Sequence, residues 1–377
     1  MLFPIITPLV KQMKEQIVTC LIRTIIKGRK TELSITEDLT MNISNLTSSS
    51  DFEIQKILTG LSDLSFHDQT VLVTGGSGFL GSWMCEVLLH KGANVICLDN
   101  YASGRPENTD HLKNHPRFTR IVHDISKPYD PGRKVDLVCH LASRASPLEF
   151  EHYPIQILKS NTLGTMNALG IARKYEARFL FTSTSETYGE AAIFPTPETY
   201  RGNVNTLGVR GCYDEAKRAG EAFCMAYFRQ HDLDVRIARI FNTYGLRMRS
   251  DGHYGRVIPR FIDQAVHNAP ITIFGEGKQT RSFCFVTDQI TGLLRLAGLP
   301  GLAGEVVNIG NPVEWTILDL AQMIIELTGS RSEFAYQPMP PDDPTRRVPD
   351  ITRAREKLGW EPGVELKEGL VRMMEER

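Results

Sequence analysis

A tyrosine and a lysine four residues apart form the first pattern that suggests chemistry. In the segment Tyr213-Asp214-Glu215-Ala216-Lys217, this spacing places the phenol and the ammonium group on one face of a predicted helix. A cation beside a phenol favours the phenolate and lowers the tyrosine pKa from its ordinary value of about 10. Tyr213 is therefore a candidate base, and Lys217 is the group expected to assist it.

Hydroxyl side chains and a glutamate follow an apolar run upstream of that pair. Residues 177–181 (ARFLF) indicate a buried strand, and the sequence TSTSETYG places Thr184, Ser185 and Glu186 just after it. Open α/β sheets bind their ligands at the carboxyl ends of their strands. We therefore expect Thr184 to join Tyr213 at a substrate hydroxyl or carbonyl group, with Ser185 and Glu186 close by.

Three glycines lie between a predicted strand and a predicted helix, in the order G-x-x-G-x-x-G. Gly75, Gly78 and Gly81 follow the run TVLVT, and glycine at such a turn lets a pyrophosphate approach the backbone and the helix N-terminus. The next predicted strand ends with Asp99, whose carboxylate can accept hydrogen bonds from ribose hydroxyls and would repel the 2′-phosphate of NADP. The sequence therefore predicts a site for NAD.

Strand-like and helix-like segments alternate over most of the chain. Short apolar runs separated by helix-length segments occur at 70–74, 93–100, 120–124, 136–143, 177–185 and 234–242. This alternation predicts a Rossmann-type, doubly wound parallel sheet in an α/β protein, followed by a smaller C-terminal α/β lobe that covers the crevice. The predicted divisions are an N-terminal extension (1–66), an NAD-binding domain with the tyrosine and lysine (67–245) and the C-terminal lobe (246–377).

The composition makes some partners and sites improbable. The formal net charge is -1 at pH 7 and the sequence pI is about 6.8, so we expect no nucleic acid as a partner. No stretch approaches the roughly 20 apolar residues of a transmembrane helix. Seven scattered cysteines indicate reduced packing residues, no metal site and a cytoplasmic location. Residues 18–26 could form a surface-lying or partner-binding helix, or the true first residue could be Met41.

These features, in this order, resemble the extended short-chain dehydrogenase/reductase superfamily from about Thr70 to Arg377. Further matching segments are 140–143 (HLAS) and 239–245 (RIFNTYG). Besides the three glycines, Asp99, Tyr213 and Lys217, the resemblance implies cofactor contacts from Phe79, Leu80, Asn100, Ser103, Gly104, Asp124, Ile125, Leu141, Ala142 and Ser143. It implies substrate contacts from Asn161, Arg210, Asn242, Arg256, Val257, Arg281 and Arg347. It also implies a homodimer formed by two helices, around 155–175 and 213–230.

Within that superfamily, the two residues after Thr184 distinguish the activities. Nucleotide-sugar 4-epimerases typically carry small residues there and 4,6-dehydratases carry Asp-Glu, whereas this chain has Ser185-Glu186. Together with 212–218 (CYDEAKR), 277–283 (GKQTRSF), 342–350 (DDPTRRVPD) and 358–362 (LGWEP), the pair resembles the UDP-glucuronate decarboxylases, or UDP-xylose synthases. The resemblance implies NAD-dependent conversion of UDP-glucuronate to UDP-xylose through a 4-keto intermediate. The implied catalytic residues are Thr184, Ser185, Glu186, Tyr213, Lys217 and Arg281.

The sequence leaves several alternatives open. Glu186 could act near the sugar carboxylate, or backbone N–H groups or solvent could hold it. Arg281 could clamp the diphosphate or belong to a proton relay, and either Arg346 or Arg347 could reach the diphosphate. Arg144, where related sequences have proline, could bind the glucuronate carboxylate or lie in a surface loop. The competing functions are a 4-epimerase or other 4-keto nucleotide-sugar enzyme and a non-catalytic NAD-sensing protein.

Overall fold

Parallel strands at the centre of the chain form its largest sheet. The computed structural model describes residues 49–249, 256–340 and 342–375. The strands are β1 (Thr70–Thr74), β2 (Asn94–Asp99), β3 (Phe118–Val122), β4 (Leu137–His140), β5 (Arg178–Thr184), β6 (Val235–Ile240), β7 (Thr243–Tyr244), β8 (Ile271–Phe274), β9 (Thr280–Ser282), β10 (Cys284–Phe285), β11 (Val306–Ile309), β12 (Glu314–Thr316), β13 (Phe334–Gln337) and β14 (Arg346–Arg347).

The order of strands places a crevice beside β1. The seven-stranded sheet has the order β11-β6-β5-β4-β1-β2-β3, and all of its pairs are parallel. The chain moves outward in one direction from β1 to β3 and then crosses to β4 on the other side of β1. This reversal is the point at which doubly wound sheets bind ligands. The fold class predicted from the sequence is confirmed.

Helices cover both faces of this sheet. They are α1 (Ser49–Gly60), α2 (Phe79–His90), α3 (Pro147–His152), α4 (Pro154–Asn161), α5 (Leu163–Tyr175), α6 (Gly211–His231), α7 (Val257–Val266), α8 (Val286–Gly298), α9 (Ile317–Thr328), α10 (Thr352–Leu358) and α11 (Leu366–Glu375). Val71 of β1 packs in one cluster with Trp83 of α2, whereas Leu72 packs in the other with Ala168 of α5. Side chains alternate between the faces of a strand, so a run such as TVLVT is apolar throughout when both faces are covered.

Short strands in the C-terminal part bring distant residues together. β9 pairs antiparallel with β12 and parallel with β14, so that Arg281 lies opposite Arg347. β8 pairs with β13, and β7 pairs with β10. The segment after β6 therefore carries its arginines back toward the carboxyl ends of the central strands.

One helix predicted from the sequence is divided in the structure. The helix predicted around 155–175 is divided into α4 and α5 at Thr162, whose backbone angles (φ -107°, ψ -71°) depart from regular helix. Residues 53–377 form one compact unit. The predicted limits at residues 66 and 245 stay predictions, and the predictions for residues 1–48 lie outside the described residues.

In the described part of the chain, no helix has the length and apolar character needed to span a membrane.

Candidate active site

The glycine turn forms a backbone cradle at the end of β1. Gly75 has a φ of +70°, a conformation that favours glycine. A Cβ atom on Gly75 would lie 2.8 Å from the Cα of Ala142, and one on Gly81 would lie 2.1 Å from the carbonyl oxygen of Gly75. The cradle therefore has no room for side chains at these positions. Its backbone N–H groups at the start of α2 fit a pyrophosphate.

Asp99 ends β2 beside this cradle. Its carboxylate accepts hydrogen bonds from the backbone N–H groups of Ser77 (2.9 Å) and Tyr101 (2.8 Å). Burial raises the pKa of Asp99, and the hydrogen bonds from backbone N–H groups oppose that rise. Asp99 thus shapes the loop after β2 and also lines the cavity, where it can meet a ribose.

A cavity of about 890 Å³ connects the glycine turn with the C-terminal part of the chain. Nearly all the residues predicted to bind cofactor or substrate line it. They are Gly75, Gly78, Phe79, Leu80, Gly81, Asp99, Asn100, Ser103, Gly104, Asp124, Ile125, Leu141, Ala142, Ser143, Thr184, Ser185, Glu186, Arg210, Tyr213, Lys217, Asn242, Arg256, Val257 and Arg281. Asn161 and Arg347 are not among the residues that line it.

Asn161 is buried at the end of α4. Its amide nitrogen donates to the carbonyl oxygen of Ile157 (2.9 Å), and its amide oxygen has no hydrogen-bond partner within the described ranges. A contact between Asn161 and substrate would require this region to rearrange. The substrate contact of Asn161 was implied by the family resemblance alone, and the geometry of this side chain does not support it.

Thr184, Tyr213 and Lys217 meet at the carboxyl end of β5. The Thr184 side chain acts on the Tyr213 phenol and lowers its pKa, and the Lys217 ammonium donates to the carbonyl oxygen of Thr182 (2.8 Å). The Lys217 nitrogen lies 6.0 Å from the centre of the Tyr213 ring. The helix of α6 therefore places both side chains on one face, as their spacing predicted.

The ionisation of this pair differs from the sequence-based expectation. Burial raises the pKa of Tyr213 to about 12, although the Thr184 hydrogen bond and Arg256 lower it. Burial lowers the pKa of Lys217 to about 7. Desolvation disfavours the charged form of each group, and at this distance the ammonium does not reverse that effect on the phenol.

Glu186 is held by arginines in the first turn after β5. Its carboxylate accepts hydrogen bonds from Arg210 and from Arg347, the latter at 3.0 Å. Burial opposes its ionisation, but the charges of Arg347, Arg210 and Arg281 outweigh burial and bring the pKa of Glu186 to about 2. Glu186 is thus a carboxylate whose charge is compensated by arginines, partners that the sequence did not identify.

The structure distinguishes the two adjacent arginines of β14. Arg347 has a side chain only 4% exposed and donates to Glu186 and to the carbonyl oxygen of Ser185. Arg346 points away and forms a two-point contact with Glu314. Arg347 therefore faces the site from behind Glu186. It does not line the cavity, so its predicted diphosphate contact is not supported by its position.

Arg281 and Arg256 do line the cavity. Arg281 donates to Asp343 at 2.9 Å, and Arg256 donates to the carbonyl oxygen of Ala145 at 3.1 Å. Asn242 donates to the carbonyl oxygen of Ser282 at 3.4 Å. Two guanidinium groups in the lining of the cavity suit an anionic group such as a diphosphate.

Arg260 is a cavity residue that sequence reasoning missed. Its guanidinium carbon lies 5.1 Å from the centre of the Phe274 ring and 5.6 Å from that of Phe261. The Nε atom is buried without a hydrogen-bond partner in the described part of the chain, and desolvation lowers the pKa of this group. An arginine in the middle of a helix usually indicates a solvated face. The sequence does not show which face of α7 lines the cavity, and so it could not identify Arg260 as a cavity residue.

The family model described as "NAD dependent epimerase/dehydratase family" matches residues 71–310. UDP-glucuronic acid decarboxylase 4 of Arabidopsis thaliana is 48% identical over 309 residues, which cover 81% of this chain and 68% of that protein. UDP-glucuronic acid decarboxylase 1 of Danio rerio is 46% identical over 300 residues, covering 80% of this chain and 70% of that protein.

Solved structures agree with this assignment at the level of the fold and cofactor. UDP-glucuronic acid 4-epimerase from Bacillus cereus, in complex with UDP-glucuronic acid and NAD, is 28% identical. It has a TM-score of 0.74, with coverage of 81% of this chain and 98% of that one. The predicted cofactor is confirmed as NAD, which the glycine turn and Asp99 fit. The chain therefore belongs to the NAD dependent epimerase/dehydratase family and, with relatives 45–48% identical over about four fifths of its length, to the UDP-glucuronic acid decarboxylases.

Proposed function

We propose that this chain converts UDP-glucuronate to UDP-xylose and carbon dioxide, with NAD regenerated in each cycle. The observation that carries the proposal is the position of Glu186. This carboxylate, compensated by Arg210 and Arg347, lies at the same strand end as Thr184 and Tyr213. The site thus combines groups for oxidation of a hydroxyl with a charged cluster suited to a sugar that carries a carboxylate.

The first step is oxidation of the sugar at C4. Tyr213, in its phenolate form, takes the proton of the C4 hydroxyl, and Thr184 keeps that oxygen in line through its own hydroxyl group. Lys217 anchors the tyrosine face of α6 to β5 through its bond to Thr182. The chemistry that NAD supplies when bound is reversible hydride transfer at this carbon.

The second step is loss of carbon dioxide. A ketone at C4 is β to the carboxylate, so the C5–C6 electron pair can move into the ketone as an enolate when that bond breaks. Tyr213 and Thr184 stabilise the enolate oxygen by donating hydrogen bonds. A proton then adds at C5, and reduction at C4 restores the hydroxyl group.

Glu186 acts on this step through charge. With a pKa of about 2 it is not a proton donor near neutral pH. By neutralising Arg210 and Arg347, it keeps these cations from holding the substrate carboxylate in a strong ion pair. A carboxylate that must leave as neutral carbon dioxide reacts faster when its ground state is not stabilised in that way.

Arg256, Arg260 and Arg281 are the proposed contacts for the nucleotide part of the substrate. All three line the cavity, and the Nε atom of Arg260 has no hydrogen-bond partner among the described residues. Phosphate oxygens and base carbonyls are acceptors that suit these guanidinium groups. Val257 and Asn242 complete the same wall.

We also propose a homodimer and a cytoplasmic location. The dimer is supported by large apolar side chains that are exposed on α4 and α5, namely Ile155 (58%), Leu158 (36%), Leu163 (46%) and Met166 (41%). Pairs three residues apart share a helix face, so each helix presents an apolar stripe. The location is supported by the six free cysteines within the described residues, which suit a reducing compartment.

Incubation of the full chain with UDP-glucuronate and NAD, followed by mass spectrometry, tests the activity. The expected product has lost carbon dioxide and co-elutes with UDP-xylose. An isomer of unchanged mass would instead assign a 4-epimerase, and bound NAD without turnover of any nucleotide sugar would assign a non-catalytic role. A Tyr213→Phe variant should reduce kcat by roughly a hundredfold or more while binding NAD normally.

A further inference from the structure

The catalytic tyrosine has an aromatic neighbour that lies outside its own helix. The ring of Phe150 stacks on that of Tyr213, with 5.1 Å between the ring centres and 15° between the planes. The guanidinium carbon of Arg210 lies 5.7 Å from the centre of the Phe150 ring. Phe150 is only 3% exposed and lines the cavity. One side chain therefore contacts both the proposed base and an arginine of the Glu186 cluster.

Phe150 belongs to α3, a helix of six residues that is too short to be stable alone. Arg144, which precedes α3, forms an ion pair with Glu149 of that helix, and the Glu149 side chain is only 2% exposed. The guanidinium carbon of Arg144 also lies 4.4 Å from the centre of the Tyr153 ring, just after α3. Arg144 thus links the residues before α3, within α3 and after α3.

This arrangement argues against Arg144 as a direct ligand of the substrate carboxylate. If Arg144 turned toward substrate, the buried carboxylate of Glu149 would lose a cationic partner, which is unfavourable in a poorly hydrated site. Glu149 and Arg144 both line the cavity, so their pairing forms part of its wall. The function that fits the pair is to hold α3 in place.

We propose that Arg144, Glu149 and Phe150 form a brace that positions the Tyr213 ring and the Arg210 guanidinium for the sugar. Within this brace, the ion pair fixes α3 and the Phe150 ring fixes the plane of the phenol. These are positioning residues, because they act through Tyr213 and Arg210. The inference rests on the proposed function for its kinetic test, but the contact with Tyr213 can be tested without turnover.

The brace also affects how Tyr213 ionises. Phe150 covers one face of the phenol, and burial is the main cause of its raised pKa. The charged groups around Tyr213 are Lys217, whose nitrogen lies 6.0 Å from the ring centre, Arg256, which lowers the tyrosine pKa, and Glu186 and Asp214, which raise it. Loss of the Phe150 ring should admit water and move the tyrosine pKa downward, with these charges unchanged.

The test compares Phe150→Ala with Phe150→Tyr, which keeps the stacked ring. Phe150→Ala should lower kcat for UDP-glucuronate by about tenfold to a hundredfold, with KM less affected. The increase of kcat/KM with pH that reports ionisation of Tyr213 should also occur at lower pH in Phe150→Ala. Phe150→Tyr should keep the wild-type kcat and the wild-type pH profile. Arg144→Glu and Glu149→Arg should each be impaired, and the double variant should recover part of the activity.

Thermal unfolding and NAD titration of each variant show whether it folds. An unchanged kcat and pH profile in a folded Phe150→Ala variant would overturn the brace. A double variant of Arg144→Glu and Glu149→Arg that is no more active than the single variants would also overturn it. If the wild type does not turn over UDP-glucuronate, the proposed function fails separately. The brace is then decided by ultraviolet titration of phenolate, with Tyr213→Phe as the background. A Tyr213 titration that is the same with and without the Phe150 ring would reject it.

Discussion

Glu186 gains its importance from the cations that surround it. Arg210 and Arg347 come from different parts of the chain, and both meet one carboxylate of low pKa. A buried ion pair contributes little net stability compared with apolar packing, because both charges must be desolvated. The cluster is therefore better explained by its effect on a charged substrate than by its effect on folding.

Replacing Glu186 by glutamine keeps the size of the side chain and removes its charge. Arg210 and Arg347 would then be uncompensated and would hold the substrate carboxylate more tightly before it leaves. We expect kcat for carbon dioxide release to fall on the order of a hundredfold. KM should not rise, and NAD should bind as it does to the wild type. Steady-state kinetics and an equilibrium titration with NAD measure these quantities.

Glu314→Gln is the matched control for this substitution. Glu314 pairs with Arg346, the arginine adjacent to Arg347 that points away from the site. Its loss should leave kcat and KM unchanged. Equal losses of NAD affinity and kcat in Glu186→Gln would show that Glu186 maintains the whole site and does not act on the carboxylate.

Adjacent arginines illustrate what the sequence alone could not decide. Thr184, Tyr213 and Lys217 were identified because a strand end and a helical spacing fix where they point. The choice between Arg346 and Arg347 depends on which side of β14 faces Glu186, and a strand of two residues carries no periodicity to reveal it. The raised pKa of Tyr213 was missed for a related reason, since burial comes from residues such as Phe150 that are distant in sequence.

At the scale of the secondary-structure elements, the turn between β1 and α2 tolerates little change. A Cβ atom on Gly81 would overlap the carbonyl oxygen of Gly75 at 2.1 Å. We expect Gly81→Ala to deform the cradle and abolish detectable NAD binding. Fluorescence or calorimetric titration with NAD measures this loss, and circular dichroism shows whether the sheet is retained.

Gly170→Ala is the corresponding control in a helix. Gly170 lies in α5, and a Cβ atom there would meet nothing within 4 Å. The substitution should leave NAD affinity unchanged and raise the free energy of unfolding by up to about 1 kcal/mol. Retention of NAD affinity by Gly81→Ala would refute the proposed cradle.

The burial of Glu53, which lies on α1 beside Arg372 of α11, should make stability depend on pH. The Glu53 side chain is 2% exposed and accepts a hydrogen bond from Arg372 at 3.1 Å. Burial raises the pKa of Glu53 from 4.5 to about 7, against the charges of Arg372 and Lys56. A carboxyl group whose pKa rises on folding stabilises most when protonated. This contribution is fully present below about pH 4.5 and is lost as the pH rises through about 7.

Glu53→Gln should therefore remove this part of the pH dependence. Chemical denaturation at a series of pH values between about 4.5 and 7 should show a smaller fall in the free energy of unfolding than in the wild type. Glu356→Gln, which removes an exposed carboxylate on α10, should leave the wild-type curve intact. If the free energy of unfolding of Glu53→Gln fell with pH as much as that of the wild type, the pH dependence would belong to other groups.

At the scale of the whole molecule, the exposed stripes on α4 and α5 are expected to bind a second copy. Leu163→Lys would place a charge in the centre of that contact, where it would lack a partner. We expect this variant to be a monomer at concentrations at which the wild type is a dimer, as light scattering would measure. Val122→Lys, at an edge strand with 68% exposure, should leave the dimer unchanged. A monomeric wild type would exclude the proposed interface.

The ion pair between Arg347 and Glu186 spans 161 residues of sequence. The strands and helices that hold NAD, and the helix that carries Tyr213, are all synthesised before β14. A growing chain can therefore complete its Rossmann half early, because domains generally fold as they emerge. The cation that completes the cluster around Glu186 arrives only with the last tenth of the sequence. A polypeptide that ends before β14 would thus retain the groups for oxidising a sugar without the full set that governs release of its carboxylate.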